Sequence, residues 1–162
     1  MSLSALWEWL QNTELSFQIG ATYWFPLLES IHVLGIVFLL GSILIVDLRL
    51  IGWHAKTQRI AIMSRELSPW SWGSFCVCIV TGAGLFISRP GAYADNTAFQ
   101  TKLVLIVLAG VNLLLFTRFK AKTSSHWDEM TQPPFTIRAA GFGSLILWAG
   151  VVIAGRWVGH SM

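Results

Sequence analysis

Residues 24–53 read WFPLLESIHVLGIVFLLGSILIVDLRLIGW, and within them only Glu29, His32, Asp47 and Arg49 are ionisable. About 20 apolar residues suffice for a helix to cross the hydrocarbon core of a bilayer. A spanning strand would need about 10 residues in strict in/out alternation, and this run does not alternate. The stretch therefore predicts a transmembrane α-helix. Three further runs of the same character follow, at about 69–89, 99–119 and 135–158. The expected fold is all-α, an integral membrane four-helix bundle forming a single domain over residues 1–162.

Composition agrees. Hydrophobic residues make up 54% of the 162-residue chain and charged residues 12%, about half the charge of a soluble domain. A soluble protein this apolar would expose large sticky patches, so the lipid bilayer is the natural partner. The net charge of +3 comes from Lys and Arg placed between the apolar runs, with no basic patch interleaved with aromatics, and nucleic acid is excluded. No Lys or Arg precedes Arg49, so the start of the chain lacks the positive region of a signal peptide.

The same cations give an orientation. Arg49, Lys56, Arg59 and Arg65 flank the first loop, and Arg118, Lys120, Lys122 and Arg138 the third. The second loop and the C-terminal flank hold only Arg89, Lys102 and Arg156. Positive loops stay inside, so both termini are expected on the non-cytoplasmic side of a bacterial inner membrane. Residues 3–12 place Leu3, Leu6, Trp7 and Leu10 on one helical face, which predicts a short amphipathic helix at the outer interface, an anchor or a lid. Ser68 and Pro69 read as N-cap and first residue of the second spanning helix, and Arg89-Pro90-Gly91 as its stop. Pro133-Pro134 force an extended approach to the fourth. Most of the nine tryptophans fall near predicted helix ends, as an aromatic belt does.

Ionisable side chains at membrane depth cost about 2.5–3.5 kcal/mol on insertion scales, so their presence there points to function. His32 is the sharpest case. Its helical face continues through Gly35, Leu39, Ser42 and Val46, where small residues leave room for a second helix or for a flat ring. Imidazole is a common axial ligand of haem iron. Arg89, Lys102 and Arg156, at the outer ends of three helices, could meet propionates, with Trp148 on the fourth helix as a large neighbour among small residues. A second axial ligand would come from His160 or from another subunit. His54 and His126 are expected as solvated loop residues, Asp47 and Arg49 as a structural clamp, and Asn112 as an interhelical hydrogen bond. Cys76 and Cys78, two apart on one helix, cannot easily bridge, and they read as nearer the cytoplasmic half of the membrane, away from His32. No catalytic constellation is visible: there is no phosphate loop, nucleophile elbow or zinc-protease motif.

Two stretches, Glu29-Ser30-Ile31-His32-Val33-Leu34-Gly35 and Val46-Asp47-Leu48-Arg49-Leu50-Ile51-Gly52, resemble an uncharacterised family of small four-helix bacterial inner-membrane proteins. The similarity continues through Asn96-Thr97-Ala98-Phe99-Gln100-Thr101-Lys102, Trp148 and Gly155-Arg156. The helix bearing His32 is also similar, more loosely, to four-helix b-type cytochromes and copper-resistance membrane proteins. That resemblance implies haem b on His32, or copper as the alternative, and only His32 matches such a ligand. Thr117 stands where family members place a histidine after the pattern of Asn112 and Phe116, so a second haem on the cytoplasmic side is not expected. The functional expectation is electron transfer with a quinone or a periplasmic redox partner, in a homo-oligomer. The rivals are a copper-handling permease, for which Met63 and Met130 lie on the wrong side, and an accessory subunit.

Overall fold

Backbone N–H and C=O groups in hydrocarbon have no water to bond, so each apolar run must close its hydrogen bonds within itself. The computed structural model describes residues 3–53, 60–122 and 135–161, in seven helices. These are α1 (Leu3–Gln11), α2 (Glu14–Ala21), α3 (Trp24–Ile51), α4 (Ile60–Ser88), α5 (Pro90–Ala94), α6 (Thr97–Lys122) and α7 (Phe135–Ser161). Four contain stretches long and apolar enough to cross a membrane: Trp24–Ile51, Pro69–Ser88, Thr97–Leu115 and Phe135–Ser161. His54, Lys56, Arg59, His126, Trp127, Met130, Pro133 and Pro134 lie outside the described residues, as do the side chains of Met63, Arg65, Phe116, Thr117, Arg118, Lys120 and Lys122.

The helix ends carry their own chemistry. Helix α3 stops at Gly52, whose φ of 93° is open to glycine, while the Gly52 and Trp53 amides donate back to Arg49 and Leu48. Ser88 ends α4, and Pro90 opens the one-turn helix α5. The Asn96 side chain accepts from the Phe99 amide at 3.1 Å and so starts α6. Thr13 accepts from the Ser16 amide and begins α2. One expectation needs correction: Ser68 and Pro69 do not start the second spanning helix, because α4 begins at Ile60 with Pro69 inside it. Membrane helices tolerate an internal proline where the freed carbonyl finds other partners. The membrane run itself still begins at Pro69.

Helix α3 packs against α4 and α7, and α6 packs against α7. Helix α2 lies in the angle of α3 and α4, and α1 rests on α5 and the end of α4. The end of the bundle that carries α1, α2 and α5 is called the capped end below. Small residues set the close approaches. A Cβ on Gly35 would lie 2.9 Å from Cys78 Sγ, and one on Gly141 3.1 Å from both Asp47 O and Leu50 Cβ. Few side chains are buried, and Val37, Phe38, Leu44, Val107 and Ile146 face outward. Burying those residues is what water would enforce, and lipid makes it unnecessary. Asn112 joins α6 to α7 by donating to Ala140 O at 3.0 Å, an interhelical bond of the kind its depth predicted.

Candidate functional site

The site is built on the α3–α4 seam. His32 lies eight residues into α3, about 12 Å along the axis, and is half-buried. Its Nδ1 is 2.8 Å from Thr81 Oγ1 on α4. The Thr81 hydroxyl lies within donating distance of Val77 O at 2.7 Å and of Cys78 O at 3.4 Å. With its one proton on Val77 O, the hydroxyl oxygen accepts and Nδ1 of His32 carries the hydrogen. In the neutral ring this leaves the lone pair on Nε2, and the Cys78 backbone also hydrogen-bonds the imidazole. Metal-bound histidines are oriented in this way, the second nitrogen donating to a fixed oxygen. Gly82 lets the ring edge lie close, since a Cβ there would meet His32 Cε1 at 3.2 Å.

The small-residue stripe below His32 is filled by α4 and leaves no slot for a flat ring. Gly35 sits under Cys78 Sγ, and Ser42 shares a 2.7 Å hydrogen bond with Ser71. Of the two uses read from that stripe, helix approach is the one realised. Cys78 also corrects an expectation. Its Sγ lies 3.9 Å from His32 O, so the thiol sits on the turn below the imidazole and not in the far half of the bundle. Thr81 is the residue that sequence reasoning passed over. It was legible only as one of a cluster of small residues, Thr81-Gly82-Ala83-Gly84.

The three candidate cations separate. Arg89 is exposed at the α4–α5 junction, and Arg156 is exposed near the end of α7. Lys102 is turned inward, its Nζ 3.6 Å from where a Cβ of Gly155 would stand. Trp148 is half-buried two turns before Gly155. His160 is exposed and edge-on to Trp157, with ring centres 6.2 Å apart. Helix α7 continues through Ser161, so the tail does not fold back.

Above the site, toward the capped end, aromatic rings form a roof. Phe86 stacks on Phe99 at 5.6 Å, Tyr93 lies 5.5 Å from Phe99, and Trp7 of α1 meets Phe86 edge-on at 5.5 Å. Burial, and then the negative charge of Glu29, push the Tyr93 phenol above its ordinary value, while Arg89 pulls the other way. At the opposite end Asp47 is buried between α3 and α7, hydrogen-bonded to Ser144, and its Oδ2 has no partner among the described residues. It faces α7. Among the described residues no three His, Cys, Asp or Glu side chains gather as a metal group. A porphyrin needs only one or two protein ligands, because it brings four nitrogens of its own.

No curated protein and no solved structure matches the chain. The model of a family of unknown function, DUF6644, matches residues 6–161, and the chain belongs to that family.

Proposed function

We propose that the chain is a b-type haem protein of the bacterial inner membrane that carries electrons, with Nε2 of His32 as its iron ligand. The observation that supports this reading is the 2.8 Å contact of Nδ1 with the Thr81 hydroxyl, which, with the hydroxyl proton on Val77 O, leaves the lone pair on Nε2. When bound, haem supplies one-electron chemistry, and the chain supplies the ligand, the orientation and the low-dielectric surroundings. Arg89 and Arg156, both exposed, are the candidate cations for propionates. The cation count in the loops sets the capped end, and both termini, on the non-cytoplasmic side. On this reading His32 would hold the iron, and a second ligand would come from another copy in a homo-oligomer.

The first test is the visible spectrum of the purified protein, air-oxidised and then dithionite-reduced, for wild type and His32→Ala. Wild type is expected to show a Soret band and sharpened α and β bands on reduction, and the variant to lose them. Full haem content in His32→Ala would end the assignment.

One observation favours a second reading. Cys78 Sγ lies close to the His32 backbone, so a soft-metal site for copper on His32 and Cys78 has a starting point. It requires stoichiometric copper in the purified protein that Cys78→Ser removes.

A further inference from the structure

The half of the bundle away from the capped end holds a buried ionisable group that the haem reading does not use. Asp47 stands fifteen residues after His32, roughly 22 Å further along the axis of α3. It is 5% exposed, and its Oδ2 is enclosed with no hydrogen-bond partner among the described residues. The carboxyl is hydrogen-bonded to Ser144 of α7. The seam around it is shut. Leu50 and Ile137 are buried against each other with Val46 beside them, and a Cβ on Gly141 would already stand 3.1 Å from Asp47 O.

The charged groups on the packed helices do not compensate this carboxyl. Arg49 follows two residues on along α3, a spacing that turns it to another face. Arg138 is half-buried on α7, one turn before Gly141. Neither donates to Oδ2. On α4, the pairs His32–Thr81 and Ser42–Ser71 bring Glu66 level with Asp47, and Glu66 is exposed and is itself an acid. The other α7 residues against this stretch of α3, Ile137 and Gly141, carry no charge.

A carboxylate here would be a buried charge with one hydroxyl beside it. Burying an isolated charge costs so much that the group takes up a proton instead, and a membrane around the seam offers no relief. A metal cation fits poorly: hard cations ask for about six oxygens, and Asp47 belongs to no cluster of three metal-ligating side chains among the described residues. A proton needs neither a cavity nor further ligands. We infer that Asp47 is a proton-binding site, carrying a single proton at neutral pH, and that the closure of α3 on α7 depends on that proton. The inference does not rest on the haem reading.

The test uses the full chain in lipid nanodiscs with Asp95→Asn and Asp128→Asn, which leave Asp47 as the single aspartate of the original three. Aspartate carrying heavy carbon in its side-chain carboxyl is incorporated. Infrared spectra are recorded at about pH 6, where an ordinary aspartate of pKa about 3.9 is ionised. The expected result is the C=O stretch of a protonated acid, lowered in frequency by the label and shifted again by Ser144→Ala. Raising the pH until this band fades should lower the melting temperature more than it does when Asp47→Asn is added, because the amide keeps the shape of the neutral acid and cannot ionise. A carboxylate stretch in place of the acid band would overturn the inference. So would an acid band that sodium chloride abolishes at fixed pH, the mark of a cation site. Equal falls in melting temperature with and without Asp47→Asn would overturn the dependence of the seam on the proton. The infrared measurement leaves Asp47 itself unchanged, so it decides even where Asp47→Asn does not fold.

Discussion

At the residue scale the decisive contact is one hydrogen bond. A lone imidazole in a membrane helix has two equivalent prospects for its proton, and a Thr81 hydroxyl that donates to Val77 O puts the hydrogen on Nδ1. Thr81→Val keeps the shape of the side chain and deletes the acceptor. Haem affinity, measured by titrating haem into the apoprotein, should fall about 10- to 100-fold, while Thr81→Ser should stay near wild type and both keep their helix content. Tyr93 supplies a second prediction. Its phenol is raised above the ordinary value of 10.0 by burial and by Glu29, so the folded state favours the protonated form. That contribution to stability is fully present below pH 10.0 and is lost as pH rises through the folded value. Melting temperature should therefore fall more steeply at high pH in wild type than in Tyr93→Phe. Matching slopes would show that Tyr93 titrates like a free phenol.

At the element scale, small residues decide which helices can touch. Gly141 on α7 admits the backbone of α3, since a Cβ there would already stand 3.1 Å from Asp47 O and Leu50 Cβ. Backbone cannot step aside as a flexible side chain can. Gly141→Leu should destabilise the bundle by about 1–3 kcal/mol through overpacking, seen as a lower melting temperature in detergent. An unchanged melting temperature would mean that the α3–α7 seam is looser than described. The short helices α1 and α2 work differently. They bury almost nothing of their own, yet Trp7 reaches Phe86 and the Ser16 hydroxyl donates to Ser88 O at 3.4 Å. The amphipathic segment read from residues 3–12 is thus part of the aromatic cluster at the capped end.

At the scale of the whole molecule, an even number of spans puts both termini on one side. The Asn96 side chain donates to Ser161 Oγ at 2.8 Å, which ties the start of α6 to the end of α7 at the capped end. With that end outward, Ser4→Cys and Ser161→Cys should both react with an impermeant thiol reagent added to spheroplasts in a Cys76→Ser, Cys78→Ser background. Labelling of both only after the membrane is broken would reverse the proposed orientation. Neither is expected to require a change in the spans, because these are set by apolar length and not by the sign of the loops.

The sequence by itself determined that four helices cross a membrane, and where the apolar stretches run, because hydrocarbon leaves a backbone no option except closing its own hydrogen bonds. It also singled out His32, since an ionisable side chain in an apolar run is visible without any neighbour. Helix punctuation was legible at Arg89-Pro90-Gly91 but was overridden at Pro69, where the helix continues. What only the tertiary structure decided are the pairings: Thr81 on Nδ1, Cys78 beneath the imidazole, Lys102 turned inward over Gly155, and Asp47 facing Ser144. Nearly every residue of a membrane helix is apolar on all sides, so periodicity does not mark which face meets which neighbour. Side-chain shape at a few small residues makes that choice, and it exists only once the helices are side by side.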